Sequence, residues 1–302
     1  DKYESILINE LNHRFFNEVI IDGDKVTKRC IDPRYEDVHS KEKLWYSAVS
    51  DRLENIPKIY SYDPLTMGRI GGEHLWNLKK NKEELINNFC DALDSLHSIA
   101  EVDANTDDMI DVYLKKTKSR VEEVRSLIRD IDEPMVKINS RMCINPLCDE
   151  EYFEEHIKKI SNIDKFNIIH GDNTFSNTIA DENSKIWFID PRGVFGSTPI
   201  YGDRRYDYAK LYYSAYGNYD SINSKDYRIK LDRRNVNLKI KSNGYEEFAD
   251  LIIKRSGVPK AEIQIIHACI WFALTGYVKE DYDAVLFAFY KGCQLWTEAV
   301  SD

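Results

Sequence analysis

The densest group of chemistry-capable side chains is His170-Gly171-Asp172-Asn173-Thr174-Phe175-Ser176-Asn177, followed shortly by Ile186-Trp187-Phe188-Ile189-Asp190. The first run is polar and lies between the apolar stretches 166–169 and 178–180, so it reads as a loop between strands, and the second reads as a strand ending on an acid. A carboxylate and a carboxamide five residues apart on a tight loop, with a second carboxylate on the next strand, suit phosphoryl transfer. One group orients a nucleophilic hydroxyl, and the others hold Mg²⁺ through hard oxygens against a polyphosphate. Asp and Asn also cap turns for purely structural reasons. The pattern His-Gly-Asp, four residues, Asn is nevertheless expected by chance in only about two of a thousand chains of this composition, so the chemical reading is preferred.

The elements that must position these groups change character near residue 70. Before it, 15–21 and 25–30 are β-prone runs joined by Asp22-Gly23-Asp24, which reads as a hairpin turn. A helix is expected from about residue 37 or 40 to 53, with Leu44, Trp45, Ala48 and Val49 on one face. Short strands follow at 56–60 and 65–70 around Asp63-Pro64. After residue 70 helical spacing dominates: 82–100, 111–131, 149–163, 206–216, 245–256, 261–277 and 282–300. The small strands 166–169, 178–180 and 185–189 interrupt it. This order describes an α+β protein with a small β-rich lobe, residues 1–70, and a larger, mainly helical lobe, residues 71–302.

Composition narrows the function classes. The 302 residues carry a formal charge of -10, from 42 Lys+Arg against 52 Asp+Glu, which disfavours nucleic acid and anionic membranes as partners. The basic stretch 225–241 is read as a solvated loop. Cys30, Cys90, Cys143, Cys148, Cys269 and Cys293 show no zinc spacing and fit reduced thiols in a cytoplasmic protein. No apolar run approaches the roughly 18 residues of a membrane span. The chain begins at Asp1 without Met, compatible with its being part of a longer polypeptide.

The run from His170 to Asn177, Ile189-Asp190, Gly202-Asp203 and Asp207-Tyr208-Ala209 together resemble the aminoglycoside phosphotransferase and choline kinase family of small-molecule kinases, which have a two-lobed, protein-kinase-like fold. The resemblance spans residues 14–300, is strongest over 166–216, and is specific to the family rather than to a substrate. It implies Asp172 as the catalytic aspartate, Asn177 and Asp190 as Mg²⁺ ligands, and His170 and Asp207 in supporting roles. ATP or GTP and a small-molecule acceptor would be the partners. It also implies a small-lobe Lys for the nucleotide phosphates and a Glu to hold it. Lys28 and Glu42 are the best choices, although strand alternation could equally turn Lys28 outward and Glu36 competes with Glu42. Met67, Gly68 and Ile70 would flank the interlobe hinge, with backbone groups of Gly68 and Ile70 open to a purine edge.

Two departures from the family pattern matter. No glycine-rich phosphate-covering loop precedes Phe15, and Arg192 stands where many relatives carry a second acid. With Asp203, Arg192 is expected to face the acceptor and to favour a neutral or anionic substrate over a polycation. His97 is read as structural. The tyrosines from Tyr201 to Tyr219 are read mostly as helix packing, the alternative being an aromatic cage for a quaternary ammonium. The expected acceptor is a sugar or sugar-like precursor, such as one of surface polysaccharides, or an amino alcohol such as choline. The competing reading is a nucleotide-binding regulatory module without catalysis. A protein kinase is disfavoured because the loop lacks a His-Arg-Asp form and no Ala-Pro-Glu segment follows.

Overall fold

In the computed structural model, residues 17–301 are described; positions 15 and 16 of the first expected strand, and the segment before them, lie outside the described residues. Strands β1 (Asn17–Asp22) and β2 (Lys25–Cys30) pair from Asn17 opposite Cys30 to Asp22 opposite Lys25. Gly23, at φ 57°, takes the left-handed position that a two-residue hairpin demands. Helix α1 (Glu36–Val49) buries His39, Glu42, Trp45, Tyr46 and Val49 on one face, and ends four residues short of the expected 53. Strands β3 (Ile59–Tyr62) and β4 (Leu65–Gly68) complete an antiparallel sheet of order β1-β2-β4-β3.

The second lobe begins with β5 (Glu73–His74) and α2 (Lys82–His97), then β6 (Glu101–Asp103). The helix expected over 111–131 instead starts as α3 (Thr106–Ile110), passes through a π turn at Asp111–Lys115 and ends with α4 (Lys116–Glu122). Val121, Val124, Ile128 and Ile131 are buried at helical spacing, yet only Val121 lies on α4; Val124 precedes a 3-10 turn, Arg125–Leu127, and Ile128 and Ile131 follow it. The periodicity reported burial, and only half of it was helix.

Next come β7 (Met135–Ile138), β8 (Arg141–Ile144), α5 (Glu150–Ile160), β9 (Lys165–Ile168), β10 (Thr178–Ala180) and β11 (Ile186–Phe188). The short pair β12 (Val194–Phe195) and β13 (Thr198–Pro199) leads to β14 (Tyr201–Gly202), α6 (Arg204–Ala215) and α7 (Asp220–Asn223). The stretch 225–241, expected as a loop, is a hairpin of β15 (Tyr227–Leu231) and β16 (Val236–Ile240). Tyr227, Ile229 and Leu231 turn inward while Arg228 and Lys230 stay exposed, so the charges are one face of a strand. Helices α8 (Ala249–Ser256), α9 (Lys260–Tyr277) and α10 (Tyr282–Ser301) close the lobe. Helix α9 is buried from Ile263 to Gly276 and forms its central post. Among the described residues no helix is long and apolar enough to cross a membrane, and all six cysteines are free thiols.

The sheet β11-β10-β5 carries the polar loop at one end, and the first lobe is bonded directly to it. The Asn55 side-chain amide donates to the Ile186 carbonyl at 2.8 Å, while the Asn55 carbonyl accepts from the Phe188 N–H at 2.7 Å. The Trp45 indole donates to the Ile169 carbonyl at 2.7 Å. Gly193, at φ 65°, permits a third close approach, because a Cβ there would lie 2.7 Å from the Lys41 carbonyl oxygen on α1.

Candidate active site

One buried carboxylate organises the loop. Asp207, on α6 and without solvent exposure, accepts from the backbone N–H of His170 through Oδ2 and of Gly171 through Oδ1, both at 2.8 Å. Its carbonyl accepts from the Asn173 amide at 2.9 Å, and its Oδ2 lies 3.0 Å from His97 Nε2 at the end of α2. His97, read from sequence only as structural, thus steadies the residue that shapes the loop. His170 accepts the Asp172 N–H at Nδ1, 3.2 Å, so its proton sits on Nε2 and is donated to the Ile189 carbonyl at 2.9 Å. The ring couples the loop to the residue before Asp190. Asp190 itself sits at φ 55°, a left-handed conformation that costs a non-glycine residue about 1 kcal/mol or more and that concentrates at functional sites.

Two clefts meet at this loop. The first, about 600 Å³, lies under the four-stranded sheet. Val19, Val26 and Met67 line one side and Ile179 and Ile189 the other, with Lys28, Asn177 and Asp190 at its polar part. Lys28 Nζ donates to Glu42 Oε1 at 2.8 Å and to Asp190, so the strand alternation turns Lys28 inward. Glu36, the alternative partner, is exposed. Gly68 lines the cleft, but its N–H bonds the Lys58 carbonyl at 2.8 Å within the sheet and is not open to a purine as expected. A hinge donor for a base would fall to Ile70, which also lines the cleft.

The second cleft, about 320 Å³, contains Asp172, Lys116, Arg192 and Lys210 among the tyrosines Tyr206, Tyr213, Tyr219 and Tyr277. Lys210 Nζ lies 2.9 Å from Asp172 Oδ1. Burial alone would weaken the Lys210 ammonium, but Asp172 more than reverses this and holds it charged. Arg192 turns into this cleft and donates to the Tyr277 hydroxyl at 3.0 Å. Asp203 does not line it. It is buried as the N-cap of α6, where it accepts from the Arg205 N–H and guanidinium and from the Tyr113 hydroxyl at 2.9 Å. Both of its oxygens are engaged, which overturns the expected acceptor role. Lys210 and Lys116 were missed. Lys210 follows Asp207 by three residues, so it shares a helix face with it, a signal open to sequence reading. Lys116 becomes visible only through the π turn that precedes it.

Asn177 turns its amide NH₂ toward Asp172, reaching the backbone carbonyl at 2.7 Å and Oδ2 at 3.1 Å. Its carboxamide oxygen is therefore the atom left to serve a cation. Among the described residues no three His, Cys, Asp or Glu side chains converge to hold a metal. Mg²⁺ commonly takes one or two protein oxygens and completes its shell with water and phosphate, so Asp190 and Asn177 fit such an ion.

The loop is also tied to α7, where the Ser176 N–H donates to Asp220 Oδ1 at 3.1 Å. Burial pushes the Asp220 carboxyl up to about 6 from 3.8. A folded-state value above the unfolded one means stability is full below about pH 4 and is lost as pH rises through 6. Asp220→Asn keeps an acceptor for Ser176 and removes the titration. Urea unfolding should show the variant gaining about 1 to 3 kcal/mol on the parent between pH 4 and pH 7.5. An unchanged difference between the two proteins across that range would contradict this account.

No protein-family model matches the chain, and no curated protein matches it. Among solved structures, it is similar to a choline/ethanolamine kinase family protein from Mesorhizobium loti, with 14% identity over 96% of this chain and 90% of that one and a TM-score of 0.47. Choline kinase LicA from Streptococcus pneumoniae shares 11% identity over 100% of this chain and 98% of that one, with a TM-score of 0.45. A spectinomycin phosphotransferase, solved with ADP and spectinomycin, shares 9% over 95% and 86%, with a TM-score of 0.47. At such scores the likeness assigns no role to any residue.

Proposed function

We propose that the chain is a nucleotide- and Mg²⁺-dependent phosphotransferase that acts on a hydroxyl of a small molecule. Residues 1–70 would form the nucleotide lobe and 71–302 the lobe with the catalytic loop and acceptor site. One observation carries the reading: a single eight-residue loop separates two clefts, with Asp172 in one and Asn177 in the other beside Asp190 and Lys28. In-line transfer needs donor phosphate and acceptor hydroxyl to meet, and the edge of this loop, where the two clefts adjoin, is where they would.

The first cleft suits ATP or GTP, with a base between Val26 and Met67 above and Ile179 and Ile189 below, and phosphates at Lys28. Bound by Asp190 and Asn177, Mg²⁺ would neutralise charge on the phosphate oxygens. Asp172 would accept a hydrogen bond from the acceptor hydroxyl and aim its oxygen at the phosphorus. The new P–O bond forms as the bond to the nucleoside diphosphate breaks, and the hydroxyl proton passes to Asp172 late in transfer. Lys210 would orient Asp172 through their 2.9 Å ion pair. A cytoplasmic setting suits an enzyme that draws on nucleoside triphosphate.

The competing reading, a nucleotide-binding module without catalysis, draws on the β1–β2 turn, which has two residues and no glycine-rich loop. One assay separates the two. ATP or GTP with Mg²⁺ should give nucleoside diphosphate in the presence of at least one of a panel of sugars, amino alcohols and aminoglycosides, well above the rate without acceptor. Nucleotide binding by calorimetry with no acceptor-dependent release would favour the module, and no nucleotide binding at all would dispose of both.

A further inference from the structure

The second cleft holds an excess of positive charge that the reaction does not use. Of its three cations, Lys210 is matched by Asp172. Among the described residues, neither Arg192 nor Lys116 forms an ion pair with a carboxylate; Arg192 donates to the Tyr277 hydroxyl and feels Asp172 only at longer range. Both side chains are half-buried. Two like charges sharing a partly desolvated cleft are unfavourable unless an anion completes the site. Their neighbours register the same field. Burial, reinforced by Arg192 and Lys210, pulls the Lys116 ammonium down. Burial would raise the Tyr277 phenol, yet Arg192 and Lys116 outweigh it and draw it down to about 7.

The backbone is arranged for this placement. Lys116 is the first residue after the π turn Asp111–Lys115. An added residue in a turn rotates everything after it by about 100° relative to a regular helix, and π turns recur at functional sites. The four tyrosines around the cations suit a polyhydroxylated skeleton, and a quaternary ammonium among the same rings would face the positive charges of Lys116 and Arg192.

We propose that Lys116 and Arg192 form an anion subsite in the acceptor cleft, so that the acceptor is a hydroxylated small molecule bearing a carboxylate or phosphate, and neither an amino alcohol nor an aminoglycoside. The proposal rests on the phosphotransferase reading for its turnover arm and has a binding arm independent of it. Matched probes of one skeleton, glucose, glucuronate and a glucose monophosphate, are compared with glucosamine and choline. Acceptor-stimulated release of nucleoside diphosphate is followed first. The anionic sugars should exceed glucose in kcat/KM by about tenfold or more, with choline and glucosamine lowest. Lys116→Met should raise the KM of the preferred anion by a similar factor and leave the nucleotide KM unchanged.

If none of the probes is turned over, calorimetry with ADP and Mg²⁺ present measures binding of the same set. Tighter binding of an anion than of glucose, abolished in Lys116→Met or in Arg192→Gln, upholds the subsite even where the phosphotransferase reading fails. The carboxylate and phosphate probes separate the two oxyanion sources. Three results would each overturn the proposal: a cationic acceptor preferred, no anion preference in either arm, or a variant that raises the nucleotide KM while sparing the acceptor. The last would mean that these cations serve the nucleotide phosphates.

Discussion

Asp172→Asn should lower turnover by about a thousandfold or more while nucleotide affinity stays within about threefold of the parent. The asymmetry follows from position. Asp172 lines the second cleft and is absent from the lining of the first, so the change reaches the first cleft only through the Asn177 amide. Asn is nearly isosteric and can still accept from the Asn177 amide, which now lies 3.1 Å from Asp172 Oδ2. What disappears is the negative charge that pairs with Lys210 and that, in the proposed reaction, would orient the hydroxyl and receive its proton. Lys210 would then stand buried among Tyr206 and Tyr213 as an unpaired cation, so some loss of stability is also expected. Single-turnover kinetics with nucleotide saturating isolates the chemical step, and calorimetry measures affinity. A turnover within threefold of the parent would remove Asp172 from the mechanism.

The loop around Asp172 was legible because its side-chain types are tied to chemistry and its flanks to strand pattern. Lys28 and Glu42 were legible in part. Their identity could be named, but which face of β2 turns inward is decided by what packs against the sheet, and Lys28 lies on the face that meets Glu42 of α1 and Asp190. Asp203 misled because the same Gly-Asp step that opens α6 also makes an N-cap. Its carboxylate is consumed there by Arg205 two residues on.

The hairpins that escaped notice share a physical cause. In β15 and β16 the apolar residues Tyr227, Ile229, Leu231, Val236, Leu238 and Ile240 alternate strictly, which is a strand signal. The intervening Arg and Lys residues drew the reading toward a charged loop. In β7 and β8 the turn Asn139-Ser140 holds both residues at positive φ, 48° and 69°, so it does the work of Asn-Gly without the glycine that would have marked it. The π turn before Lys116 left no trace at all. It adds one residue to a helix whose composition is otherwise ordinary, and packing alone reveals it. The acceptor cleft was therefore the least readable region, since its cations come from α4, α6 and the segment after β11, and nothing local joins them.

The second large effect should come from Asp190→Asn, and it is expected on the nucleotide side. Asn tolerates the left-handed backbone that position 190 adopts, so the local fold should persist where Ala would add strain. Glu42 still holds Lys28 at 2.8 Å after the change, which keeps the phosphate-directed cation in place. The variant thus isolates one property, the anionic oxygen offered to a divalent ion. In the parent protein, Mg²⁺ should tighten ADP binding by about tenfold or more, because Asp190 would offer the ion an anionic oxygen beside the phosphates. In the variant that increment should vanish, with affinity in the absence of Mg²⁺ equal to or better than the parent's, since one negative charge near the phosphates is gone. Turnover should fall by about a thousandfold. Calorimetric titrations of ADP with and without Mg²⁺ on both proteins give four affinities. If the Mg²⁺ increment survives in Asp190→Asn, the ion is held elsewhere, and Asp190 serves only as a counter-charge for Lys28.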